Sequence, residues 1–153
     1  MKSSATIDVL NEALRVEHTL AMQCQHYALT IRGLWRLSLV SFFEDLADEA
    51  RGHAQKFGKK VVALGGVPIA EVESVRSSAT AEEMVADVLT LERRAMDTYL
   101  RALKTVPEDD VALRAMLEDH IEAEQRHIDE IERLVVERGS GDTKNPAAVR
   151  RAS

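Results

Sequence analysis

Four long segments carry apolar residues at alternating steps of three and four, the spacing that gathers them on one face of an α-helix. The first seam runs Ile7, Leu10, Leu14, Glu17, Ala21, Cys24, Ala28 and Ile31, and Gly33 breaks it where a short helix–helix turn is expected. The second runs Leu39, Phe43, Leu46, Ala50, His53 and Phe57, continues to Leu64, and stops at the breaker Gly65-Gly66-Val67-Pro68. Residues 65 to 80 have no period, and that length suits a crossover along a bundle better than a tight turn. Thr80 and Glu83 form a capping-box pattern opening a third helix, whose seam is Val85, Val88, Glu92, Ala95, Tyr99 and Ala102. Pro107 with Glu108, Asp109 and Asp110 then predicts the acidic first turn of a fourth helix. Its seam is Leu113, Leu117, His120, Glu124, His127, Ile131 and Leu134. The pattern predicts one all-α domain over residues 1–138 and a flexible polar tail over 139–153, where Gly and Pro interrupt the chain.

Composition agrees with this reading. Of 153 residues, 45% are hydrophobic and 30% charged, and the chain has only three prolines, which suits a helical domain with a proper core. The formal net charge of −6 argues against a sequence-independent nucleic-acid binder, which needs a basic face, but not against a protein that attracts cations. No stretch approaches the roughly 18 apolar residues of a membrane span, and the start MKSSATIDVLNEAL has no apolar signal core, so a cytoplasmic protein is expected. With Cys24 as the single cysteine, neither an internal disulfide nor a cysteine zinc cluster can form. A bound metal must be held by carboxylate and imidazole.

Glutamate is seldom buried unless it is paired or bound to metal, yet three stand on core seams. Glu17 lies 16 positions before Gly33 and His53 lies 17 after Arg36, so at ~1.5 Å per residue both sit about 25 Å from the same turn. Glu92 and Glu124 lie 15 before and 17 after Pro107, again at matching depth. A lone seam histidine is ordinarily a satisfied core residue, and a lone glutamate ordinarily snorkels. Five exceptions at one level, Glu17, His53, Glu92, Glu124 and His127, point instead to a metal site of hard and borderline donors, suited to iron, manganese or zinc. Cys24 and Tyr99 follow Glu17 and Glu92 by seven, near enough to influence redox chemistry, although packing is the simpler role. His18 and His26 fall off the seam, as surface or interface residues do. Trp35 at the first turn suits a dimer contact or an anchored loop equally.

These residues resemble the ferritin-like superfamily, and within it bacterioferritin and its smaller bacterial relatives, over roughly residues 5 to 138. That family places one Glu on each of two helices and a Glu-x-x-His pair on each of the other two around a di-iron centre. Glu17 and Glu92 match the single glutamates, Glu124 with His127 the complete pair, and His53 the other histidine. The run HAQKFGKKVVALGGVP from His53 to Pro68 resembles the end of the family's second helix and its exit turn. In that register Ala50 stands where a bridging carboxylate is expected.

The resemblance implies an antiparallel four-helix bundle with a long crossover between helices 2 and 3. Glu17 and His53 would hold one iron, Glu92 and His127 the other, and Glu124 would bridge them. These five residues would then oxidise Fe(II) with dioxygen or peroxide, as a ferroxidase, in a homodimer or larger homo-oligomer. Arg51 occupies the position of the family's haem-ligating methionine, so no haem is expected, and the tail lacks the apolar fifth helix of the large storage cages. Three carboxylates leave two divalent ions short of one charge. Glu49, four before His53, could supply it through a π-bulge near Gly52, His120 could add a nitrogen from one turn before Glu124, or a hydroxide or anion could bridge. Two other readings stay open: a degenerate bundle holding one metal or none because of Ala50, and a metal-free scaffold with protonated carboxylates.

Overall fold

The computed structural model describes residues 4–135; the expected tail over 139–153 lies outside the described residues. The seams become four helices, α1 (Ser4–Thr30), α2 (Arg36–Ala63), α3 (Ala81–Thr105) and α4 (Val111–Leu134). Every residue of the third seam is buried, as is every residue of the first beyond Ile7. In the other two, Leu39, Phe43, Leu46, Ala50, Phe57, Leu113, Leu117, His120, Glu124 and Ile131 are buried, while Leu134 at the end of α4 is exposed.

α1 packs on α2 and α3, and α3 packs on α4. Thr6 at the start of α1 donates to the carbonyl of Thr105 at the end of α3 (3.1 Å), and Tyr27 at the end of α1 reaches Asp87 near the start of α3 (2.5 Å), so these two helices run antiparallel. Between α2 and α4 the ring pairs His53–His120 and Phe57–His120 and the Glu49–His127 ion pair follow an antiparallel register as well. Adjacent helices are therefore antiparallel, and parallel ones lie on the diagonals. The fold is all-α, as the pattern predicts, and the antiparallel four-helix bundle with a long α2–α3 connection is the one the resemblance implies.

This arrangement needs a connection from the end of α2 to the far end of the bundle, which residues 64–80 supply. A polar stripe at steps of four on α1 fastens it. Asn11 donates to the carbonyl of Val67 (3.1 Å) and accepts from the amide of Ile69 (3.2 Å). Arg15 pairs with Glu71 (2.7 Å), Thr19 accepts from the amide of Glu73 (3.0 Å), and Gln23 bonds both the amide (2.7 Å) and the carbonyl (3.0 Å) of Arg76. An extended segment thus finds partners for its backbone groups without a sheet.

The ends of the helices follow their residues. Thr80 caps α3, accepting from the amide of Glu83 (3.2 Å), while the Glu83 carboxylate accepts from the amide of Ala79 (3.2 Å) rather than from that of Thr80. The acidic run before α4 is not its first turn, as the sequence pattern suggested. Pro107 to Asp110 form a preceding turn, and Asp110 is the N-cap, accepting from the amide of Leu113 (3.2 Å). After each tight turn an arginine reaches back to the carbonyls left free by the preceding helix: Arg36 to Ile31 (2.9 Å) and Arg114 to Val106 (3.3 Å).

α2 ends in a Schellman arrangement. The amide of Gly66 donates to the carbonyl of Val61 and that of Gly65 to Val62, both at 2.9 Å, with Gly65 at φ 85°. A Cβ on Gly66 would stand 2.7 Å from Cγ2 of Ile7 and 3.1 Å from Cγ1 of Val61. Gly66→Ala is therefore expected to cost about 1–3 kcal/mol, read from chemical denaturation midpoints; an unchanged midpoint would contradict this packing.

Candidate metal centre

Halfway along the bundle each helix presents an acid or imidazole to the interior. α1 brings Glu17, α2 His53, α3 Glu92, and α4 both Glu124 and His127, which share a face because they are three apart. These side chains meet in two groups, Glu17–His53–Glu124 and Glu92–Glu124–His127, each with its ligand atoms within 4.8 Å of one another. Glu124 belongs to both. Nδ1 of His53 lies 3.5 Å from Oε1 of Glu17 and 3.4 Å from Oε1 of Glu124, and Nδ1 of His127 lies 3.7 Å from Oε2 of Glu92. Both rings thus turn the same nitrogen toward the carboxylates.

Among the described residues, the buried side-chain polar atoms without a hydrogen-bond partner all belong to this level or the layer beside it. They are both carboxylate oxygens of Glu17, Oε2 of Glu92 and of Glu124, Nδ1 of His127, Nε2 of His120 and the hydroxyl of Tyr99. Native interiors rarely leave such atoms unpaired, and a bound ion is a standard resolution. Burial, then the charges of Glu124 and Glu49, raise the Glu17 carboxyl well above its ordinary range. Burial raises Glu92 to about 7, tempered by its hydrogen bond with Glu124 and reinforced by the charges of Glu17 and Glu49. Burial and the hydrogen bond with Glu92 raise Glu124 to about 8, with the His53 bond opposing. Three carboxyls that resist ionisation together suit a site completed by positive charge. The oxygen and imidazole donors suit a metal ion such as iron.

Ala50 is buried beside the cluster and offers no donor. α2 is a regular α-helix through Gly52, so the π-bulge suggested for Glu49 does not form. Glu49 nevertheless arrives by reaching across to α4, where its Oε2 lies 2.5 Å from Nε2 of His127. The Glu49 carboxylate thus meets Nε2 of His127, while Nδ1 of the same ring faces the interior without a hydrogen-bond partner. Glu49 therefore stands behind His127, on the side of the ring away from the carboxylates.

His120 lies outside both groups. Its Nδ1 donates to the carbonyl of Met116 (2.6 Å), which leaves Nε2 as a buried acceptor, and burial lowers its pKa to about 4, so the ring is neutral. Its ring packs at a tilt against His53 (centroids 4.5 Å apart) and Phe57 (4.8 Å) and edge-on against Tyr99 (6.0 Å), forming an aromatic layer on one side of the site. The pattern did not assign Phe57 to this layer; its place on the α2 seam one turn after His53 was the available signal. Cys24 is buried near Glu92 and Glu17, whose charges add to burial in raising its thiol. His18 and His26 stay outside the site, His26 meeting Ser77 at 3.2 Å, and Trp35 is 59% exposed. The side chains of His53 and His127 are 13% and 12% exposed and that of Glu49 is 49% exposed, so the centre opens to solvent between α2 and α4.

The ferritin-like domain family matches residues 7–138. The chain is similar in structure to a ferritin-like, diiron-carboxylate protein from Bacillus anthracis str. Ames, with 29% identity and a TM-score of 0.83 over 86% of this chain and 95% of that one. A Dps protein from Bacillus brevis shares the fold at 24% identity and a TM-score of 0.79, over 88% and 99% of the two chains. A nutrient stress-induced DNA-binding protein of Synechococcus sp. is 35% identical over 68 residues, 44% of this chain and only 39% of that relative's length. With the family match spanning all four helices, the chain belongs to the ferritin-like domain family.

Proposed function

We propose that the protein binds iron at this level of the bundle and oxidises Fe(II) there, with dioxygen or peroxide as the electron acceptor, in a role in cytoplasmic iron homeostasis. The observation that carries this is the set of unpartnered, buried oxygen and nitrogen atoms facing one another from four helices. Glu17 and His53 would hold one Fe(II), Glu92 and His127 the other, with Glu124 between them. Each Fe(II) yields one electron, so a pair supplies the two that take dioxygen, with two protons, to hydrogen peroxide. The chain's own part is to hold the carboxylates dry and close together, to release their protons as the ions enter, and to keep the neutral aromatic layer of Phe57, Tyr99 and His120 against the site. Manganese(II) and zinc(II) suit the same donors, and haem has no place in the proposal.

A homodimer or larger homo-oligomer is part of the same reading, and the exposed Leu34, Trp35 and Leu37 at one end of the bundle offer apolar surface for it. DNA is not part of it, because a net charge of −6 opposes contact with phosphates. The second reading, a degenerate bundle with one ion or none, rests on Ala50 alone.

Anaerobic titration of the metal-free protein with Fe(II), followed by mixing with oxygenated buffer while ferric absorbance is recorded, separates the two. Two irons per chain, oxidised far faster than in buffer, are expected; one or none, oxidised at the buffer rate, would establish the degenerate reading. Binding should also register in stability. At a free ion concentration 100 times Kd the folded state gains about 2.7 kcal/mol, so zinc(II) should raise Tm by roughly 5–10 °C and a chelator should reverse it. An unmoved Tm would favour the metal-free scaffold.

A further inference from the structure

The two histidines of the centre are matched on the inside and unmatched on the outside. Nε2 of His127 meets the Glu49 carboxylate at 2.5 Å, whereas the carboxylates in ion-pair range of His53, Glu17 and Glu124, both lie on its Nδ1 side. His53 packs instead against the neutral ring of His120, tilted at 55° with the centroids 4.5 Å apart. A carboxylate behind a ligating imidazole fixes its tautomer, locks its orientation and makes its free nitrogen a stronger donor; losing such a partner typically weakens metal binding about 10–100-fold. Ala50, buried three residues before His53, adds no carboxylate on that side.

Resting on the proposed two-ion reading, we infer that Glu49 is a positioning residue for His127 and that the centre is unequal. It has a tight position at Glu92–Glu124–His127 and a weaker, exchangeable one at Glu17–His53. The first ion settles where an oriented imidazole and two carboxylates are available. The second must use Glu17 and His53 and share Glu124, whose charge the first ion has already compensated. Glu49 is close enough to serve His127 and exposed enough to be replaced without disturbing the core, since its side chain is 49% exposed.

The test is an anaerobic titration of the full chain with Co(II), following visible absorption and calorimetry together, for the native protein, Glu49→Gln and Glu49→Ala. The native protein should bind two ions in distinct steps, the first at least about tenfold tighter. Glu49→Ala should weaken the first step about 10–100-fold and leave the second within about threefold, with Glu49→Gln, which keeps an acceptor but no charge, in between. Glu92→Ala should remove the tight step and Glu17→Ala only the weak one, each with an unchanged helical circular dichroism spectrum. Two equal steps in the native protein, or a Glu49→Ala effect on both steps alike, would overturn the inference and leave the two-ion reading standing. Loss of one ion outright in Glu49→Ala would make Glu49 a ligand and also overturn it. Absence of Co(II) binding by the native protein would remove the two-ion reading itself.

Discussion

Glu124→Gln is expected to abolish binding of both ions and, in the same molecule, to raise the melting temperature of the metal-free protein. Glu124 is the one side chain common to both ligand groups, so its loss strikes both ion positions at once. Without metal the same carboxylate is a liability. It is buried against Glu92, and burial together with this acid raises its pKa to about 8, so its ionisation works against folding. Glutamine keeps the shape and a hydrogen-bonding oxygen and removes the charge. Replacing buried ionic groups by neutral ones of similar size often stabilises by about 1–4 kcal/mol, here on the order of 5 °C in Tm at pH 8. The expected pair of results is a higher Tm with chelator and no further rise with zinc(II), alongside Fe(II) oxidation at the buffer rate. A variant that melts lower in chelator and still responds to zinc(II) would show that Glu124 is a structural acid.

The second large effect is a fall in metal-free stability as pH rises from about 6.5 to about 8.5. A free glutamate titrates near ~4.3, whereas in the folded chain Glu92 titrates at about 7 and Glu124 at about 8, with Glu17 also raised. Across that gap the folded state holds protons that the unfolded state has lost. These groups therefore contribute stability that is complete below about 4.3 and is lost as pH rises through 7 to 8. His120 acts in the opposite sense: its folded value of about 4 lies below the ~6.5 of a free imidazole, so it favours folding increasingly between those values and is neutral in both states above them. Above pH 6.5 the carboxyls act unopposed by His120, and Tm in chelator should drop by roughly 5 °C or more by pH 8.5. Metal reverses the trend, because ions displace the same protons and bind more tightly as pH rises. Melting curves with chelator and with saturating zinc(II) should therefore diverge with pH; parallel curves would mean that the acids are already ionised in the metal-free fold.

Most of the fold was legible because burying one face of a helix forces the three-four spacing. For the same reason the acids on those seams stood out, and matching their depth from each turn placed four helices' worth of donors at one level. What escaped was set by reach and by contacts between segments. Glu49 lies about 100° around the helix from Ala50, so helix phase alone places it outside the cluster. Only the spacing of α2 and α4 reveals that its side chain spans the gap to His127. Any of Glu108, Asp109 and Asp110 could have begun α4, and the choice fell to the one whose side chain reaches the amide of Leu113. The fastening of the crossover had a signal that went unread, the polar stripe Asn11, Arg15, Thr19 and Gln23 at steps of four, which faces neither the core seam nor open solvent.

The proposed function requires two ions within the bundle, one on either side of Glu124. Diffraction from crystals soaked anaerobically in Fe(II), with data on both sides of the iron absorption edge, tests it most directly. Two anomalous peaks are expected in each chain, one against Glu17, His53 and Glu124 and one against Glu92, Glu124 and His127, with Glu49 held off the metal behind His127. A bundle interior without anomalous density, with iron only on surface carboxylates, would contradict it.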